Sequence, residues 1–152
     1  MPGADHSILQ IIETRDHIVI FNEWGHQTRV VRIRDRAHWP STIRAWSGDP
    51  VGRWEGNTFV IDSTNFRDSS SGPQLQLDQN LHLTERFTRA GPETLLYEFT
   101  VDDPAAYTKP WTAAVPMKKS DEKIYEHACH EGNYSMEFML SGARAQEKEA
   151  ER

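Results

Sequence analysis

Hydrophobic and polar residues alternate with a period of two along most of the chain, which predicts strands that bury one face. The first two such runs are Ser7–Thr14 (SILQIIET) and His17–Phe21 (HIVIF), separated by a turn at Thr14, Arg15 and Asp16. Gly25 interrupts the chain before Thr28–Arg34 (TRVVRIR), and the three runs together predict a meander. From Asp35 to Asp49 the alternation fades, although Trp39 and Trp46 make a wholly solvated loop a poor reading of that stretch.

Val51–Phe66 (VGRWEGNTFVIDSTNF) predicts a hairpin around Gly56-Asn57, with β-branched residues concentrated after the turn. Arg67–Pro73 is a polar connection. A second hairpin is expected from Leu81–Arg89 and Thr94–Val101, which flank Ala90-Gly91-Pro92-Glu93. Asp102-Asp103-Pro104 ends it, because proline has no N–H to give a ladder. Trp111–Lys118 and Lys123–His130 are expected to pair around Ser120-Asp121. After Gly132-Asn133 the period changes. Met136, Met139, Leu140 and Ala143 fall at helical spacing, which predicts a short C-terminal helix and tail over residues 135–152.

Eight or more short strands and one terminal helix predict an all-β fold. The expected architecture is a single antiparallel barrel over about residues 7–131, with the whole chain, residues 1–152, as one domain. A barrel of about eight strands either fills its interior with side chains or holds one small ligand.

Alternation then says which polar groups point inward. Glu85 shares a face with Leu81, Leu83 and Phe87, and Asp103 extends the face of Leu95, Tyr97, Phe99 and Val101. Tyr107 lies on the backward extension of the face of Trp111, Ala113, Val115 and Met117. His130 falls with Ile124, Glu126 and Ala128 on the slightly more apolar face of its run. An inward carboxylate must be paired or hydrogen-bonded, and groups of this kind gathered in an apolar cavity equip it for acid–base chemistry. The plainer alternatives are that Glu85 pairs with an arginine and that Asp103 caps the turn before Pro104.

The reaction class expected from these groups is that of a lyase, isomerase or cyclase without an organic cofactor. Glu85 or Asp103 would be the base, His130 the acid or its partner, and Tyr107 the donor to a developing oxyanion. Trp111, Trp46, His38, Tyr97 and Phe99 would contact the substrate, an apolar or ring-containing small molecule. The alternatives are a carrier of an apolar small molecule and a metal-dependent hydrolase or oxygenase. Metal binding would centre on His127 and His130, which with Cys129 and Glu131 have ligand chemistry but not the spacing of a zinc helix. Among the tryptophans, Trp54 is expected in the core. Arg32, Arg34 and Arg36 share a strand face that is expected to be solvated.

Composition narrows the field further. The formal charge of -6, from 17 basic and 23 acidic side chains among 152 residues, argues against a general nucleic-acid binder. No apolar run approaches the roughly 20 residues of a spanning helix, so no membrane partner is expected. The lone Cys129 cannot form an intramolecular disulfide, which leaves the compartment open. A homodimer through a free sheet edge is compatible with any of these functions.

At VGRWEGNTFVIDSTNF the chain resembles a bacterial family of small β-rich proteins, largely uncharacterised. The likeness continues through RAHWP (Arg36–Pro40), LHLTERF (Leu81–Phe87), VDDPAAYTKPW (Val101–Trp111) and ACHEGNY (Ala128–Tyr134). It covers most of the chain, and His38, His130, Glu85, Asp103, Tyr107 and Trp111 lie inside or beside its motifs. The resemblance implies a fold similar to calycin-type (lipocalin-like) barrels, in which Gly52 and Trp54 would form the strand-opening G-x-W segment. Such barrels mostly bind apolar small molecules, and several of similar shape are isomerases, cyclases or lyases. Family members often carry a secretion leader, and the location of this soluble chain stays open between the cytoplasm and the periplasm after removal of a leader.

Overall fold

The computed structural model describes residues 8–34, 37–67, 79–126, 128 and 131–150. Its strands are β1 (Leu9–Glu13), β2 (His17–Asn22), β3 (Gln27–Arg32), β4 (Asp49–Glu55), β5 (Thr58–Thr64), β6 (His82–Gly91), β7 (Thr94–Asp102) and β8 (Trp111–Lys118), followed by one helix, α1 (Ser135–Ala150). All eight form one sheet in chain order, curled into a half-barrel. Each neighbouring pair is antiparallel except β3 and β4, which meet in parallel at Arg32 and Val51.

The expected β-rich architecture is present, but the ladder order ends at β1 and β8, with no pairing of these two strands among the described residues. The shortest strand explains much of this. β1 has five residues, and Ile11 and Ile12, on its opposite faces, are 41% and 43% exposed. That edge buries too little apolar surface to draw β8 across.

The concave face carries the core. Ile18 and Ile20 of β2, Val31 of β3, Phe59 and Ile61 of β5, and Leu83 and Phe87 of β6 are buried there, as are Tyr97, Phe99 and Val101 of β7. Each fully buried large apolar side chain contributes about 1.5–3 kcal/mol. Gly52 lets β4 approach that core: a Cβ at this position would collide with the Phe59 ring and meet Val31 Cγ1 at 2.9 Å. Gly48, at φ 68°, turns the chain into β4, and a Cβ there would lie 2.6 Å from the Thr64 carbonyl oxygen.

Two segments depart from expectation. Lys123–Glu126, expected to begin a ninth strand, is irregular. Its two faces differ little in polarity, so no face demanded burial; Tyr125 is 71% exposed, and its N–H donates to Glu23 Oε1 at 3.0 Å. This segment and β2 form a shallow cavity of about 330 Å³, lined by Phe21, His26, Ile124, Tyr125 and Glu126. The helix forms where the spacing predicts it, but Met136, Met139 and Leu140 are exposed rather than packed on the sheet.

Candidate functional site

On the concave face the β6 alternation that buries Leu83 and Phe87 also buries Glu85, which is wholly inaccessible to solvent. Its carboxylate accepts two hydrogen bonds, from Arg29 Nη2 at 2.7 Å and from the Tyr97 hydroxyl at 2.7 Å. Arg29 reaches it from β3, where alternation with Val31 turns the guanidinium inward and leaves the residue 7% exposed. Tyr97 arrives from β7, one inward position along from Phe99, the residue paired with Glu85. Burial, followed by the adjacent Glu85 charge, pushes the Tyr97 phenol far above its ordinary value, so it stays a neutral donor.

An aromatic ladder runs from this pair towards solvent. Phe87 and Tyr97 stack at 4.7 Å between centroids, Tyr97 and Phe99 at 5.5 Å, and Phe99 meets Trp111 edge-on at 5.6 Å. Tyr107, 36% exposed, closes the series against Trp111 at 5.7 Å. Cross-strand register builds the ladder, because it sets Phe87 opposite Tyr97 and Val101 opposite Trp111.

Asp103 is buried on the same face, but its carboxylate caps the turn after β7. Oδ1 accepts the N–H groups of Ala105 and Ala106 at 3.1 and 3.3 Å. Its backbone oxygen also accepts the Tyr107 N–H at 2.8 Å, which fixes the base of the ladder's outer ring. Asp103 lies four residues beyond Phe99, roughly 13 Å at about 3.3 Å per residue, so it does not share the Glu85 site. The turn-capping alternative describes it better than the general base.

The convex face holds a second polar chain. Asp49, 1% exposed, accepts Arg32 Nη2 at 2.7 Å and the Trp39 N–H at 2.7 Å, and it meets His38 Nδ1 at 3.1 Å. The other His38 nitrogen meets Asp62 Oδ1 at 2.9 Å, and Asp62 Oδ2 meets His82 Nε2 at 2.8 Å. Burial alone would raise the Asp49 carboxyl, but the Trp39 amide, Arg32 and His38 together hold it below its usual range. The hydrogen bond from His82, opposed by burial and assisted by His38, lowers Asp62. In return Asp62 raises His82 against burial, with help from the Asp102 charge. This chain ties the irregular stretch before β4 onto the sheet.

Of the residues nominated from sequence, Glu85, Tyr97, Phe99, Trp111 and Tyr107 come together on one face. His38 belongs to the opposite face, where it bridges the Asp49 and Asp62 carboxylates, and so lies apart from these residues. Trp46 is 69% exposed with the Arg67 guanidinium 5.6 Å above its ring, and Trp54, expected in the core, is 53% exposed against Phe59. Trp46 lies in the irregular stretch before β4 and Trp54 next to the last residue of β4, and neither ring is enclosed. His127, Cys129 and His130, and with them the proposed acid and the proposed metal ligands, lie outside the described residues.

Sequence reasoning leaves Arg29 without a role and does not nominate Asp49 or Asp62. The alternation of Arg29 with Val31 was a usable signal for an inward arginine; the convex chain has no local signature. Among the described residues no group of three His, Cys, Asp or Glu side chains could hold a metal ion. No helix is long and apolar enough to cross a membrane. The chain matches no protein-family model, no curated protein and no solved structure.

Proposed function

We propose that the protein binds a small, largely apolar, ring-containing molecule on the concave face of the half-barrel. The observation that carries this reading is the aromatic ladder from Phe87 to Tyr107, which leads from the buried Glu85–Arg29 pair to a half-buried Trp111 and an exposed phenol ring. Stacked and edge-on aromatic pairs offer a planar guest the same contacts they make with one another. The inward positions of β8 (Trp111, Ala113, Val115 and Met117) are only half-buried, and they border the open side of the sheet. A half-barrel used in this way resembles the mouth of a calycin-type barrel, and closure around the guest belongs to the same proposal.

Binding is favoured over turnover by the state of Glu85. The Glu85 carboxylate already accepts from both Arg29 and Tyr97, so its oxygens are engaged by the protein's own donors. An acid–base role as lyase, isomerase or cyclase would require the ligand to displace one of them.

The apolar dye N-phenylnaphthylamine tests the reading. Saturable fluorescence enhancement is expected with the native protein, together with at least about tenfold weaker binding after Trp111→Ala, the loss of one buried aromatic contact. Unsaturable enhancement, or equal affinity in the variant, would remove the concave face as the site.

A further inference from the structure

Among the described residues, three buried side-chain donors have no acceptor: Arg29 Nε, the Ser63 hydroxyl and Trp111 Nε1. All three belong to the concave face. Arg29 is 7% exposed and Ser63 is fully buried. Cross-strand register places Ser63 opposite Leu83, Leu83 opposite Val101 and Val101 opposite Trp111, so the hydroxyl and the indole mark the two ends of one row. Glu85, which holds the other end of the Arg29 guanidinium, lies in the next row.

A buried N–H or O–H left without an acceptor costs about 1–3 kcal/mol. Arg29 already spends its Nη2 on Glu85, and the indole of Trp111 can only donate. Among the described residues, this face therefore holds three donors without a partner. The guest that removes the deficit brings an oxygen acceptor of its own.

The charge of that oxygen follows from its surroundings. Arg29 and Glu85 cancel, Ser63 and Trp111 are neutral, and the buried Asp103 carboxylate caps the turn beyond the Trp111 row. An anionic group would be desolvated with Asp103 on the same face and with Arg29 already neutralised by Glu85. A neutral carbonyl meets the donors without that cost.

We infer that the ligand is a ring compound with a neutral carbonyl oxygen, received by the unpaired donors of the concave face, chiefly the Trp111 indole N–H. The inference rests on the binding reading above and specifies which chemistry that site selects.

Three probes of nearly identical shape test it: methyl naphthyl ketone, isopropenylnaphthalene and naphthoate, each titrated by calorimetry against the full chain. The ketone should bind roughly three- to tenfold more tightly than the hydrocarbon, the worth of one neutral hydrogen bond, and naphthoate should bind most weakly. Trp111→Phe keeps the ring and removes the N–H. It should abolish the ketone's advantage over the hydrocarbon, measured as the ratio of the two affinities in the same variant. Should Trp111→Phe fail to fold, the indole N–H resonance of Trp111 in the native protein is the second readout: the ketone should shift it further than the hydrocarbon does, and equal shifts would overturn the inference. Equal affinity for ketone and hydrocarbon, or naphthoate as the tightest ligand, would overturn the carbonyl inference and leave the binding reading standing. No binding of any of the three would overturn both.

Discussion

Glu85 and Arg29, 56 residues apart in the chain, meet at 2.7 Å inside the half-barrel, where the Tyr97 phenol completes the coordination of the carboxylate. The ion pair ties β3 to β6 across the concave face, between strands that are not neighbours in the sheet. Together with the Tyr97 hydroxyl, it lets an acidic side chain sit among Leu83, Phe87 and Phe99.

Removing one partner should cost far more than removing both. Arg29→Met or Glu85→Leu alone leaves an uncompensated buried charge and should destabilise the fold by about 3–5 kcal/mol. The double variant should recover most of that loss. Urea denaturation of the four proteins checks this; additive losses would show that the two charges do not compensate one another.

The convex chain makes stability depend on pH in a defined window. Asp62 is lowered, so its contribution is present above its ordinary value of 3.8 and fades as pH falls through the lower folded value. His82 is raised, so its contribution is complete below its ordinary value of 6.5 and fades as pH rises through the higher folded value. Between those limits both groups are charged and bonded. The stability difference between the native protein and His82→Asn should therefore peak near about pH 5 and shrink towards both extremes. Thermal melts of both proteins across the pH range measure it, and a difference that keeps growing above neutrality would contradict the assignment.

Close packing at Gly52 gives a third expectation. Gly52→Ala places a methyl against the Phe59 ring and 2.9 Å from Val31 Cγ1, both part of the core. Overpacking of this kind costs typically about 1–3 kcal/mol. The denaturation midpoint should fall accordingly, and a variant as stable as the native chain would mean that β4 can withdraw from the core without loss.

The sheet was legible in the sequence because a strand with one buried face writes its period of two into the chain. Glu85 could be recognised as inward for the same reason, since Leu83 and Phe87 leave it no other face. The sequence offers an arginine as its partner but not which one, because contact between β3 and β6 depends on how far the sheet curls. Lys123–Glu126 misled because its alternation is weak and either face could be solvated. Trp46 and Trp54 show that a large aromatic side chain is buried only where the fold supplies a second wall. The convex chain joins residues from five separate stretches, and no spacing along the sequence announces such a meeting.

The most direct test of the concave face as a binding site is an NMR titration of the tryptophan indole N–H resonances with N-phenylnaphthylamine. The account predicts a saturable shift of the Trp111 resonance, while Trp46, on the exposed stretch before β4, stays in place. A shift of Trp46 with Trp111 unmoved would contradict it.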